Sequence, residues 1–187
     1  MTRILLGVLA GVVVVGVVVI TSSPTLFQGK IFARINPVTR CELMSKIIAA
    51  QKIKPFTPQV ATFIDVPTDH PCFSAIETGK RKGWIQGYKD GNFQPNKSLI
   101  RAEVAKVVVT AWKVTEVIPN VPSFVDVPTN AWYYNSVESL FKKIGTKICS
   151  TDNPLKSKSS CKDGKFNPTD TATETWAQYV VNAMAAL

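Results

Sequence analysis

The sequence predicts an all-α repeat domain with long connecting loops, behind one apolar N-terminal helix. Three observations predict it. First, Phe63-Ile64-Asp65-Val66-Pro67-Thr68 returns as Phe124-Val125-Asp126-Val127-Pro128-Thr129, and Lys89-Asp90-Gly91-Asn92-Phe93-Gln94-Pro95 returns as Lys162-Asp163-Gly164-Lys165-Phe166-Asn167-Pro168. Repetition on this scale fixes an architecture before any single element does. Second, a helix opening recurs as Thr39-Arg40-Cys41-Glu42, Ile100-Arg101-Ala102-Glu103 and Thr171-Ala172-Thr173-Glu174. Counted from each Glu, apolar residues follow at helical spacing: Met44, Ile47, Ile48; Ala105, Val108, Val109; Trp176, Tyr179, Val180. Third, Ile4 to Ile20 carries no charge and is rich in Val and Gly.

That apolar run follows a positive tip, Met1-Thr2-Arg3, and precedes Thr21-Ser22-Ser23-Pro24. It is long for a signal-peptide core and short for a spanning helix, and no small-residue cleavage site follows. Residues 1–23 read as an uncleaved signal-anchor, with a removed signal peptide as the alternative; either exports the rest. Lys30 and Arg34 beyond the span weaken the charge bias of the tip. Residues 24–35 read as a juxtamembrane linker.

Thr39 to Lys54 is the first expected helix. The first and last openings read as S/T-x-x-E capping boxes, in which a Thr hydroxyl accepts a first-turn amide and the Glu reaches back. A connector with Pro55 leads to the Asp65-Val66-Pro67-Thr68 turn and a helix from about Cys72 to Lys82, in which Gly79 is a weak point. Gly83 to Tyr88 is extended or turned, and Asp90-Gly91 makes a tight turn. The next helix spans Ser98 to Val114, with Ile100 where Thr is usual and Ser98 as a second capping candidate. Asn130 to Ile144 is strongly amphipathic through Val137, Leu140, Phe141 and Ile144, and Gly145 ends it. Thr171 to Ala186 closes the chain.

The ordered elements F-x-D-V, an aromatic helix, G-x-I-x-G-Y-x-D-G-x-F-x-P and T-R-x-E resemble the S-layer homology (SLH) domain. The resemblance covers roughly residues 36–187: a half repeat at 36–54, a repeat at 63–114 and a repeat at 124–187. It implies a pseudo-threefold arrangement of helical prongs with grooves between them. One long helix is missing from the first repeat, and its place is either empty or filled by residues 24–37.

Four Cys allow three full pairings. Cys149 and Cys161 flank a polar loop inserted before Lys162, so a bridge there would staple the insertion. The resemblance makes the helices bearing Cys41 and Cys72 neighbours, which implies that pairing as a second bridge. The alternative is four free thiols in a reducing compartment. No C-x-x-C suggests zinc.

The SLH resemblance also implies grooves that bind acidic cell-wall glycans, with the T-R-x-E arginine and the G-x-I-x-G-Y segment lining them. Matching positions are Arg40, Arg101, Gln86 and Gly87. A guanidinium offers a carboxylate a planar fork, and a helix N-terminus adds a favourable dipole. Trp84 and Trp132 offer flat faces to a sugar ring, and Asp65 and Asp126 match the family's F-x-D-V aspartate. Each has a plainer alternative: arginines that pair with nearby acids, tryptophans that sit in the core, aspartates that cap a turn. The third opening has Ala172 or Glu174 where Arg belongs, so one groove is expected to lack that function.

The chain has 22 Lys and Arg against 13 Asp and Glu, a net charge of +9, which suits an anionic partner. No nucleic-acid reading motif accompanies it. His70 is the lone histidine, and no G-x-S-x-G, H-E-x-x-H or P-loop occurs. Neither Asp-Gly turn has the further acids of a calcium loop. The expectation is a non-catalytic, cofactor-free and metal-free envelope module, held in the cytoplasmic membrane through residues 4–20. It binds an acidic wall polysaccharide or peptidoglycan, with other envelope proteins as further partners. The second reading is a protein scaffold of an envelope assembly with degenerate grooves. A wall-targeted enzyme has no room for a catalytic domain outside the repeats.

Overall fold

A closed ring of backbone hydrogen bonds organises the domain. Val38 N–H donates to Ala172 (2.8 Å), Ala172 to Leu99 (2.8 Å) and Leu99 to Val38 (3.0 Å). The pairings Pro37 with Thr173, Thr39 with Ser98 and Ile100 with Thr171 are isolated antiparallel bridges, so three short segments clasp one another around a pseudo-threefold axis. The computed structural model describes residues 36–149, Cys161 and residues 164–187. The signal-anchor at residues 4–20, the linker and most of the Cys-flanked insertion lie outside the described residues.

Each clasped segment leads into a helix: α1 (Arg40–Ala50), α3 (Arg101–Ala111) and α5 (Glu174–Ala185). The other two helices are α2 (Phe73–Arg81) and α4 (Tyr134–Ile144), the latter running into a 3-10 turn, Gly145–Cys149. No strand beyond the bridges occurs among the described residues, in keeping with the all-α expectation. No helix among them is long and apolar enough to cross a membrane.

Helix α1 packs on α2, α3 on α4 and α5 on α1. Met44, Ile47 and Ile48 of α1 and Ala105, Val108 and Val109 of α3 are buried as expected. Gly79 is explained by the approach of α1 to α2: a Cβ there would stand 2.7 Å from Met44 Sδ. Cys41–Cys72 joins the starts of these two helices, and Cys149–Cys161 closes the insertion.

Several boundaries differ from expectation, among them the start of α4 at Tyr134 rather than Asn130. Helices α1 and α3 end before Lys54 and Val114, because Lys52 (φ 51°) and Lys113 (φ 53°) turn left-handed. There Ile53 N–H returns to Ile48 and Val114 N–H to Val109, the Schellman geometry. Ser98 does not cap α3; it is held in the bridge to Thr39, and Ile100 is the N-cap. The α1 capping box is formed by Thr39 and Glu42, but the box expected at Thr171 and Glu174 is not. Thr173 caps α5 through its hydroxyl to Trp176 N–H, and Glu174 is the first helical residue. The inward face of α5 is therefore Trp176, Ala177, Val180, Val181 and Met184, and Tyr179 is exposed.

Candidate functional site

The first helical residues are Arg40, Arg101 and Glu174, which puts Glu174 in the third arginine position. Arg40 is half-buried. Its Nε donates to Phe93 O (2.8 Å) and its Nη2 to Gln86 O (3.0 Å). The guanidinium carbon lies 4.2 Å from the Phe93 ring centre and 5.2 Å from that of Tyr88. Burial pulls the guanidinium below its usual range, and Tyr88, Glu103 and Asp65 pull it back up. Among the described residues no ion pair joins it to a carboxylate.

Arg40 opens onto a groove of about 360 Å³. Trp84 and Gln86 line one wall. The face of α3 carrying Glu103, Lys106, Val107 and Thr110 lines another, and Trp132 closes the end. Four expected site residues from three separate stretches thus meet. Trp132 is 57% exposed, and Lys106 Nζ stands 5.4 Å over its ring. Trp84 is buried and presents only part of its surface. The groove combines a positioned cation, an aromatic wall and a carboxylate, Glu103, tied back to Ile100 N–H (3.0 Å).

Sequence reasoning missed Glu103, Lys106, Val107 and Thr110. Their i, i+3, i+4, i+7 spacing marks them as one face of α3, and that signal was present beside the apolar one.

Arg101 is not brought to this groove. It is 1% exposed. Its Nε donates to Phe166 O (2.9 Å), matching the Arg40 bond, but its guanidinium lies 4.1 Å from the Trp176 ring centre. Trp176 occupies the third position of α5, where α1 and α3 carry Glu42 and Glu103. An indole there fills the space that a short carboxylate leaves open beside Arg40. At the third position, Glu174 accepts from Lys46 Nζ (3.0 Å), which also donates to Gln178 (3.1 Å).

Asp65 and Asp126 do not line the groove. Each carboxylate accepts two backbone N–H groups: Asp65 from Phe93 and Gln94 (2.7 Å each), Asp126 from Phe166 and Asn167 (2.8 Å each). They fix the loops that present Phe93 and Phe166 to the arginines. Gly87 also acts behind the groove, since a Cβ there would collide with the Phe63 ring and with Asn92 O. No cluster of metal-binding side chains occurs among the described residues.

Residues 62–105 match the family model of the S-layer homology domain. The chain is 29% identical to the cellulosome-anchoring protein of Acetivibrio thermocellus over 126 residues, 63% of this chain and 28% of that protein. It is 32% identical to the S-layer protein sap of Bacillus anthracis over 90 residues, 48% of this chain and 11% of that protein. The chain therefore spans less than a third of the length of these curated relatives.

Proposed function

We propose that the chain is a non-catalytic anchoring module of the cell envelope, with residues 36–187 acting as one SLH-like unit and the Arg40 groove holding an acidic wall glycan. The observation that carries this reading is the meeting of Arg40, Trp84, Gln86 and Trp132 in one groove. Arg40 is preset by two carbonyls and a ring, and its remaining N–H groups suit a carboxylate. Trp132 suits the apolar face of a sugar ring. Glu103 accepts from sugar hydroxyls and repels a misplaced anion. The relatives are an anchoring protein and a surface-layer protein, which fits this role. A tether through residues 4–20 would join membrane to wall.

One groove per chain follows. Trp176 fills the place beside Arg101, and Glu174 reverses the charge at the third position. The same two features favour the second reading, a protein scaffold. Co-sedimentation of the full chain with wall sacculi, before and after acid removal of attached polymers, separates them. The anchoring reading expects retention that is lost on stripping and drops at least about tenfold in Arg40→Gln, a charge-assisted bond being worth roughly 1.5–3 kcal/mol. Unchanged retention by a folded Arg40→Gln protein sinks glycan binding at this groove. No retention of the wild type moves the assignment to the scaffold.

A further inference from the structure

The five described helices end on one side of the domain, and that side is rich in lysine. A groove of about 590 Å³ there is lined by Gln51 beyond α1, Lys82 beyond α2, Trp112 and Lys113 beyond α3, and Ala185 of α5. A second, of about 540 Å³, starts from the same Trp112 and Lys113 and reaches Lys142 and Lys143 of α4. The two are confluent through that shared pair. Among the described residues no Asp or Glu side chain lines either groove, and none of these four lysines is in an ion pair. The nearest acid in sequence, Glu116, accepts instead from Asn135 Nδ2 (3.1 Å). Carboxylates gather at the opposite end, where Glu42, Glu103 and Glu174 open their helices.

A helix C-terminus favours one nearby cation. Several helices end here, so their dipoles draw lysines to this face; gathered around two joined grooves, the four cations still repel one another and gain from a bound polyanion.

We propose that this face binds a linear, phosphate-bearing polymer. Lysines are compact point charges that suit phosphate, whereas the single Arg of the other groove suits a planar carboxylate. Two confluent grooves fit an extended chain. Of the apolar lining, Trp112, Val114 and Val117 are partly buried and Leu187 is exposed, and a curved hollow fits a flat membrane poorly. The face shares Trp84 with the Arg40 groove but none of its charged residues, and its occupant does not depend on that reading.

The test is fluorescence anisotropy of labelled linear sodium polyphosphate with the full chain over a salt series. The expected result is binding that weakens steeply with salt, falls at least about tenfold in Lys113→Gln/Lys142→Gln/Lys143→Gln, and has a salt slope shallower by about two units in that variant. Arg40→Gln should bind as the wild type does. Wild-type affinity in a folded triple variant overturns the proposal, as does loss of binding in Arg40→Gln. Binding to phosphatidylglycerol vesicles but not to polyphosphate overturns it in favour of a membrane surface. If the triple variant does not fold, lysine acetylation of the wild type decides: polyphosphate should protect Lys113, Lys142 and Lys143 but not Lys89, and equal protection throughout overturns the proposal.

Discussion

Thr62 donates both its backbone N–H and its hydroxyl to the carboxylate of Glu77, each at 2.7 Å. Ser123 does the same to Glu138, at 2.8 and 2.6 Å. Both glutamates are 2% exposed. The two oxygens of each acid hold the loop ahead of the F-x-D-V turn onto the following helix. Glu77→Gln puts an amide donor where an acceptor is needed. It should lower stability by about 1–3 kcal/mol, read as a lower urea midpoint with an unchanged slope. Glu138→Gln should behave alike.

Asp65 and Asp126 make matching bonds but serve different arginines. Asp65→Ala and Asp126→Ala should each cost about 2–3 kcal/mol, since each frees two backbone donors from a charged acceptor. Only Asp65→Ala should also weaken retention by wall sacculi, because its loop carries Phe93 under Arg40. Equal loss of retention in both variants, at temperatures where both are folded, would show that the groove is not where binding occurs.

Lys52 sits left-handed after α1 (φ 51°). Lys52→Gly should stabilise the domain by about 0.5–1 kcal/mol, by removing the Cβ penalty that a non-glycine residue meets in that conformation. Thermal unfolding should move upward. Lys52→Ala keeps the penalty and should show no gain.

The disulfides close loops of different length, with separations of 31 residues for Cys41–Cys72 and 12 for Cys149–Cys161. On chain entropy alone, replacing each pair by Ser should cost about 4 and about 3 kcal/mol respectively. Calorimetry of the two double variants should give that order. Removal of Cys41–Cys72 should also weaken glycan retention, because Cys41 follows Arg40 directly.

The repeating segments made much of this structure legible from sequence. The F-x-D-V turn, the D-G-x-F-x-P loop and the helix that follows each identify the others, and both Cys pairings are found as expected. The start of α5 was misread because Thr171-Ala172-Thr173-Glu174 satisfies the capping-box pattern two residues too early. The other register, counted from Pro168 as Arg101 is counted from Pro95, is the one the structure adopts: it puts Glu174 in the Arg position and Trp176 where a Glu stood before. The glutamates at positions 77 and 138 were missed for a different reason. An acid within an amphipathic helix reads as solvated, and only the recurrence of a hydroxyl residue fifteen positions earlier marks them as buried acceptors. Arg101 was placed at a groove by its motif, but its burial is decided by Trp176, far along the chain.

The ring of Val38, Leu99 and Ala172 also bears on how the protein comes into being. The earliest of these segments pairs with the last, so a ribosome releases one partner long before the other exists. Until α5 emerges, two of the three clasping bonds have no second half, and the inward faces of α1 and α3 stay open to solvent. Contacts so distant in the chain slow folding relative to a domain held by local contacts. Completion is therefore tied to the arrival of residues 171–185, and a chain lacking them would leave the apolar faces of its earlier helices uncovered.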